Sequence, residues 1–232
     1  MTWISRGRAA ILAAAMLGAA HSAYAQAVAE QPVPRFEVAV GGGLLGGAAL
    51  GSRDANLRAS RPTPQPFRLF TADSQFDRAR MLHARASFAL TRRFALEGGV
   101  TWGRPDMRTS ITADAEGAPP TTSTERVDQY LVDGGIVMML YRFRIGDRAV
   151  PFVSAGGGYL RQLHEGQTVI EEGQVYHAGG GIKWLLLARD RGLVRATGVR
   201  ADVRMNLLRG GISFGGSPRP QLAVSGGVFL GF

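Results

Sequence analysis

Cysteine is missing from the 232 residues, and lysine occurs once (Lys183) beside 26 arginines. Without Cys there is no disulfide, no thiolate metal site and no lipoprotein anchor on an N-terminal Cys. The same absence suits a chain that crosses an oxidising compartment unfolded. Past the N-terminal segment no apolar run reaches the roughly 18 residues that a spanning helix requires. The nearest, 36–51, is interrupted by Glu37 and crowded with Gly. The formal charge is +9, yet the arginines are scattered and form no basic run, so nucleic acid is not an expected partner. What the chain does have is glycine, 32 residues of it, set among short alternating stretches.

The N-terminus carries export chemistry. Arg6 and Arg8 precede an apolar core over 9–20, and Ala23-Tyr24-Ala25 supplies an A-x-A cleavage site, the pattern of a secretory signal peptide over 1–25. That core is too short for an anchoring helix, and the small-residue site follows at once. Cleavage after Ala25 removes two Arg and no acid, which takes the charge from +9 to +7. A short Pro-containing leader, 26–34, and one domain, 35–232, complete the expected organisation.

Within the domain, alternation over about ten residues recurs between turns and loops, the signature of transmembrane strands. Strand one is expected over 35–46, with Phe36, Val38 and Val40 on one parity. Residues 48–81, with Pro62, Pro64 and Pro66, read as a long outer loop. Strand two, 82–90, sets Ala84, Ala86, Phe88 and Leu90 against His83, Arg85 and Ser87, and the turn 91–93 leads into strand three (Phe94, Leu96, Val100 and Trp102 against Glu97 and Thr101). A second long loop is read over 104–125, then strand four over 127–140, strand five over 150–162 with no clear facing, and strand six over 174–187. Strand seven alternates Val199, Ala201, Val203 and Met205 with Arg200, Asp202, Arg204 and Asn206; strand eight is 221–232. Eight strands return the chain to the side where it began, as a closed antiparallel barrel requires.

Alternation alone does not say which face is outside, because a soluble lipocalin-like barrel has the same period with its apolar face inward. Glycines 42, 99, 135, 156, 158, 179, 181 and 227 would make interior room for large polar groups. Trp102, Tyr130, Tyr159 and Tyr176 fall near the loop ends of their strands, and Phe94, Trp184 and Phe232 near the turn ends, as two aromatic girdles would. The expected fold is therefore all-β: an eight-stranded antiparallel up-and-down transmembrane β-barrel behind a signal peptide. Its lumen should hold Arg85, Glu97, Gln129, Asp133, His177, Lys183, Arg200, Asp202, Arg204, Asn206 and Ser225. An Arg or Lys facing lipid at the midplane costs about 2–4 kcal/mol. Facing each other, these groups form ion pairs that plug the barrel.

No motif for catalysis, cofactor or metal emerges. The four histidines lie in AHS, LHA, LHE and YHA contexts, and His21 leaves with the signal. None pairs with a nearby Ser as a nucleophile and base would. A lipid A acyl hydrolase or acyltransferase is the enzymatic alternative, and a narrow solute pore the other. The runs GGGLLGG and AGGGIK lack the Lys-Ser/Thr of a phosphate loop. His164-Glu165, Glu171-Glu172 and Asp73 with Asp77 match no zinc or calcium spacing. In the first loop Arg53, Arg58, Arg61, Arg68, Arg78 and Arg80 are suited to the phosphates of lipopolysaccharide.

The last stretch, QLAVSGGVFLGF, resembles the assembly signal of bacterial outer-membrane barrels through Ser225, Gly227, Leu230 and Phe232. With the signal peptide and the alternation, 35–232 resembles the small outer-membrane β-barrel proteins of the OmpA-barrel and OmpX type. That resemblance implies export through the periplasm into the outer membrane, contact with outer-membrane lipid and lipopolysaccharide, and handling by periplasmic chaperones and the barrel-assembly machinery. It also implies a monomer with a structural or surface-interaction role and no enzymatic activity. No peptidoglycan-binding domain follows the last strand, so a tethering role is not carried over.

Overall fold

Alternation gives a strand two chemically different faces, and here it closes a wall. A computed structural model describes residues 34–57, 67–146, 148–166, 169–189, 191–214 and 216–232. The expected signal peptide with Ala23 and Ala25, the leader up to residue 33, and Arg58, Arg61 and the three prolines of the first loop lie outside them. In chain order the strands are β1 (Phe36–Leu45), β2 (Ala48–Leu57), β3 (Phe67–Phe76), β4 (Ala79–Ala89), β5 (Phe94–Gly103), β6 (Asp106–Thr112), β7 (Thr121–Arg126), β8 (Asp128–Met139), β9 (Ala149–Leu163), β10 (Ile170–Ala188), β11 (Ala196–Gly210) and β12 (Arg219–Gly231).

Eight of them form a closed antiparallel barrel in the order β1-β12-β11-β10-β9-β8-β5-β4. It closes on β1, where Val40 stands opposite Val228 on one side and Ala84 on the other. Closure leaves no edge in the wall, the hydrogen-bonding condition for a barrel in a medium without water. A spanning strand needs about 9–11 residues; β9 and β11 have 15 and β10 has 19, so this side of the wall extends past a bilayer. The connections at one end are tight: 90–93, 140–148 with a single 3-10 turn at Tyr141–Phe143, and 189–195. This is the turn end; the longer connections lie at the other, the loop end.

The two segments read as long loops are corrected by the structure. Residues 48–81 contain β2, β3 and the start of β4, and 104–125 contain β6 and most of β7. These form a second, four-stranded sheet in the order β2-β3-β6-β7. Each hairpin prolongs a pair of barrel strands, and the two prolongations join through β3 and β6, with Ser74 opposite Thr109 and Phe76 opposite Met107. Beyond Leu50 the residues of β2 are almost all exposed, as are those of β7. Neither face is buried, so no alternation marks them, and backbone pairing alone makes them strands. Arg53 and Arg68 stand in this sheet, and Arg80 on β4.

Where the sheet meets the barrel, Ala48, Leu50, Phe76, Val127 and Ile212 pack as one buried cluster, with Met107 against it. Phe214 N–H donates to Leu50 C=O at 3.0 Å, which joins the connection between β11 and β12 to this cap. Arg219 is buried on β12 and donates to the carbonyls of Ile212 and Gly210. The mouth of the barrel is thus roofed by apolar side chains held on β2, β3 and the last loop.

Candidate functional site: the barrel lumen

Strand parity decides what enters the lumen. On β11, Arg200, Asp202, Arg204 and Asn206 are buried, while Val199, Val203 and Met205 are exposed. The contrast is large: Arg200 is 3% exposed and Ile136 on the outer wall 52%. Exposed Val40, Leu44, Leu82, Leu96, Val132, Val224 and Val228 continue the apolar exterior around the wall. Exposed Phe36, Phe88, Phe94 and Trp184 ring the turn end, and Tyr130, Tyr159 and Tyr176 lie toward the loop end. An apolar outside and a charged inside invert the polarity of a soluble barrel and match that of a barrel in a bilayer. The chain has the build of a transmembrane β-barrel.

At the heart of the lumen Glu97 of β5 receives both terminal nitrogens of Arg200, one of Arg204, and the Ser87 hydroxyl at 3.2 Å. Asp202 takes Arg85 at 2.7 Å and lies 3.2 Å from Arg200 Nε and from Arg204 Nε. Arg204 also reaches Asp133 at 3.6 Å, and His177 Nε2 lies 3.9 Å from that carboxylate. Lys183 pairs with Glu37 nearer the turn end. Four cations (Arg85, Lys183, Arg200, Arg204) therefore meet four carboxylates (Glu37, Glu97, Asp133, Asp202). The rings add to this: Arg200 stacks 4.4 Å from the Phe152 centroid and Lys183 5.5 Å from that of Phe229.

Layers of other chemistry close the lumen on both sides of this network. Toward the loop end, Gln162 Nε2 donates to Gln129 Oε1 at 3.0 Å, and Gln129 Nε2 to Gln221 Oε1 at 2.9 Å. Gln221 Nε2 then donates to Gly46 C=O at 3.2 Å, and Ile212 N–H to Gln162 Oε1 at 2.9 Å. Leu131, Leu160, Val175 and Leu208 pack beside this amide chain, and Leu45, Met81 and Ala223 form a further cluster. Toward the turn end, Ala39, Ala196 and Phe229 pack with Leu185.

Inward glycines make the network fit. A Cβ on Gly156 would stand 2.2 Å from Gly134 C=O and 2.5 Å from His177 Nε2. Gly42 is a correction: it shares the outward parity of Val40 and Leu44, and Gly41 and Gly43 are the inward glycines of β1. Strand five, whose facing the sequence left open, points Phe152, Ser154, Leu160 and Gln162 inward. Of the other residues singled out, Gln129 belongs to the amide chain, Asn206 is buried on β11, and Ser225 is buried on β12. Gly227 faces the lumen, Leu230 is exposed, and the Phe232 ring lies 6.0 Å from that of Phe36.

Sequence reasoning did not single out Glu37, Gln162, Gln221 or Arg219. Glu37 shares its parity with Ala39, Gly41 and Gly43, which carry no polar signal. A charge on a glycine-bearing parity was the available clue. Among the described residues no serine hydroxyl is hydrogen-bonded to a histidine in the lumen. Ser154 Oγ and both ring nitrogens of His177 make no hydrogen bond among the described residues. Outside the wall, His164 Nδ1 lies 2.8 Å from Glu125 Oε1 at the loop end, a histidine–carboxylate pair with no hydroxyl nucleophile bonded to it among those residues. No group of three His, Cys, Asp or Glu is placed to hold a metal ion among them either. Arg104 Nε donates to Asp128 at 2.7 Å, and Trp102 Nε1 to the same carboxylate at 3.2 Å, which tie β5 to β8 at the loop end.

No family model matches the chain, and no curated protein matches it in sequence. Among solved structures it is similar to Ail, the attachment invasion locus protein of Yersinia pestis, in complex with the heparin analogue sucrose octasulfate, at 10% identity and TM-score 0.39, covering 84% of this chain and 99% of that one. It is similar to the outer membrane protease OmpT from Escherichia coli at 10% identity and TM-score 0.41, covering 85% and 96%. The translocator domain of the autotransporter NalP from Neisseria meningitidis matches at 15% identity and TM-score 0.31, covering 88% and 90%.

Proposed function

We infer that the chain is an integral outer-membrane barrel with a closed lumen and no catalytic role, and that it meets its partners at its rims. The observation that carries this reading is the filled interior. A solute would have to break the apolar cap around Leu50 and Ile212, the glutamine chain and the ion pairs on Glu97 and Asp202 in succession. Removing one partner of a buried pair costs about 3–5 kcal/mol, so thermal opening of the whole column is rare. In this reading 1–25 directs export and is removed, the barrel resides as a monomer among outer-membrane lipids, and the β2-β3-β6-β7 sheet faces lipopolysaccharide or another surface partner. Ser225, Gly227, Leu230 and Phe232 serve recognition by the assembly machinery after passage on periplasmic chaperones.

Single-channel recording of the purified mature chain in planar bilayers tests the closed lumen. The expected trace has no steps above bilayer leak. Stable ohmic steps of porin size would overturn it, and lipid A of altered mass in cells expressing the protein would overturn the non-enzymatic reading.

A further inference from the structure

We propose that the turn end of the barrel is a binding ring for anionic phospholipid headgroups, with its arginines paired to lipid phosphates. The proposal rests on the membrane reading above and starts from where the charge lies. The lumen is balanced, four cations against four carboxylates, as described. At the loop end arginines are interspersed with acids, and among the described residues three of them form ion pairs: Arg104 with Asp128 at 2.7 Å, Arg108 with Asp77 at 2.7 Å and Arg126 with Asp106 at 3.6 Å. The turn end is different. Arg35 enters β1; Arg92 and Arg93 lie in 90–93; Arg142, Arg144 and Arg148 in 140–148; Arg189, Arg191 and Arg195 in 189–195. Those nine arginines share their segments with two acids, Asp147 and Asp190, which is the whole +7 of the chain without its signal peptide.

All but the half-buried Arg144 are exposed. Among the described residues no carboxylate pairs with Arg35, Arg93, Arg189, Arg191 or Arg195. A second observation points to a membrane rather than to water. Each turn interleaves its arginines with large exposed apolar side chains: Leu90, then Phe143 and Ile145, then Leu193, which is 82% exposed. Directly adjoining them on the strands stand exposed Phe36, Phe88, Phe94 and Trp184. Apolar anchors of this kind insert at the boundary between headgroups and acyl chains, and a guanidinium beside them lies at phosphate depth.

The geometry favours lipid over a protein partner. The arginines occupy every connection at this end, between β4 and β5, β8 and β9, β10 and β11, and at the junction of β12 with β1, so they encircle the barrel. A leaflet touches the whole circumference at once, whereas a docked protein covers one side. Arg in place of Lys also fits, because its planar fork matches two phosphate oxygens.

Two indoles of the mature chain give the readout, since Trp184 lies at the turn end and Trp102 at the loop end. The Trp102→Phe chain is folded into phosphatidylcholine vesicles containing a minority of brominated phosphatidylglycerol or, separately, brominated phosphatidylcholine. Trp184 should be quenched as though phosphatidylglycerol were enriched about fivefold beside it, and high salt should remove the preference. The triple variant Arg189→Gln, Arg191→Gln, Arg195→Gln should lower that enrichment, and the corresponding Lys variant should retain most of it. In the Trp184→Phe chain, Trp102 should show no preference. Equal quenching of Trp184 by the two brominated lipids, or enrichment untouched by the Gln variant, overturns the ring and leaves the membrane barrel standing. Quenching by neither lipid overturns the membrane reading itself.

Discussion

Glu97 is the acceptor on which the lumen turns, and Glu97→Gln is the substitution that weighs it. Its carboxylate takes two donors from Arg200, one from Arg204 and one from Ser87. The amide keeps the shape but loses the charge and, with its NH2, turns one acceptor position into a donor facing guanidinium groups. The balanced lumen becomes a site with one uncompensated cation. Breaking a buried pair this way costs about 3–5 kcal/mol; the retained carbonyl of Gln and the Phe152 ring beneath Arg200 place the expected loss near the lower bound, about 3 kcal/mol. Urea titration of the barrel in vesicles, followed by tryptophan fluorescence and by the mobility of unboiled samples on gels, measures it. Adding Arg200→Gln to Glu97→Gln should cost less than the sum of the two by about 1 kcal/mol or more, because one variant has already removed the other's partner. Asp54→Asn, on the exposed β2 with a single bond from Thr71 at 2.7 Å, is the control and should stay within about 0.5 kcal/mol of the parent. If Glu97→Gln is as mild as Asp54→Asn, the lumen is solvated well enough to replace Glu97, and both the network's energetics and the closed barrel fail together.

Two further substitutions probe packing and the amide layer. Gly156→Ala drives a methyl into Gly134 C=O at 2.2 Å and should cost more than about 2 kcal/mol in the same titration; Gly98→Ala, whose new Cβ meets nothing nearer than Asp133 C=O at 3.7 Å, should change stability by less than about 0.5 kcal/mol. Gln221→Leu removes the acceptor of Gln129 and the donor to Gly46 C=O, and should lower stability by about 1–3 kcal/mol. Equal effects of the two alanines would show that the inner wall is no tighter than the outer.

What could be read in advance follows from which residues feel two environments. The eight wall strands separate a lipid-like face from a polar one, so their sequences alternate: β4 and β11 do so throughout. Once parity is known, Arg85, Glu97, Lys183 and Arg200 have nowhere to go but inward. The pairing among them is another matter. Glu97 meets Arg200 across 103 positions of sequence, and only the stagger of strands around the barrel brings them together. The second sheet escaped notice for the opposite reason, since β7 and most of β2 are exposed on both faces and only the ends of β2 and β3 nearest the barrel bury side chains, too few to set a period. Glu37 was hidden by glycines, and the turn-end charge by dispersal, for its arginines become one ring only when four separate connections are assigned to the same end.

The lumen's closure bears on where any chemistry can occur. His177 has a carboxylate 3.9 Å away and so carries half of a catalytic arrangement, but it is buried among Arg204, Asp133 and the wall, under the glutamine layer and the Leu50 cap. On the proposed reading, a substrate would reach it by dismantling pairs that hold the barrel together, each costing about 3–5 kcal/mol to break. On the closed-lumen reading proposed above, recognition falls to the rims, and these differ in kind. At the loop end, arginines are interspersed with acids, and Arg108 pairs with Asp77 and Arg126 with Asp106. At the turn end, nine arginines share their segments with two acids beside exposed Leu193 and Phe143, which leaves attraction to a charged interface.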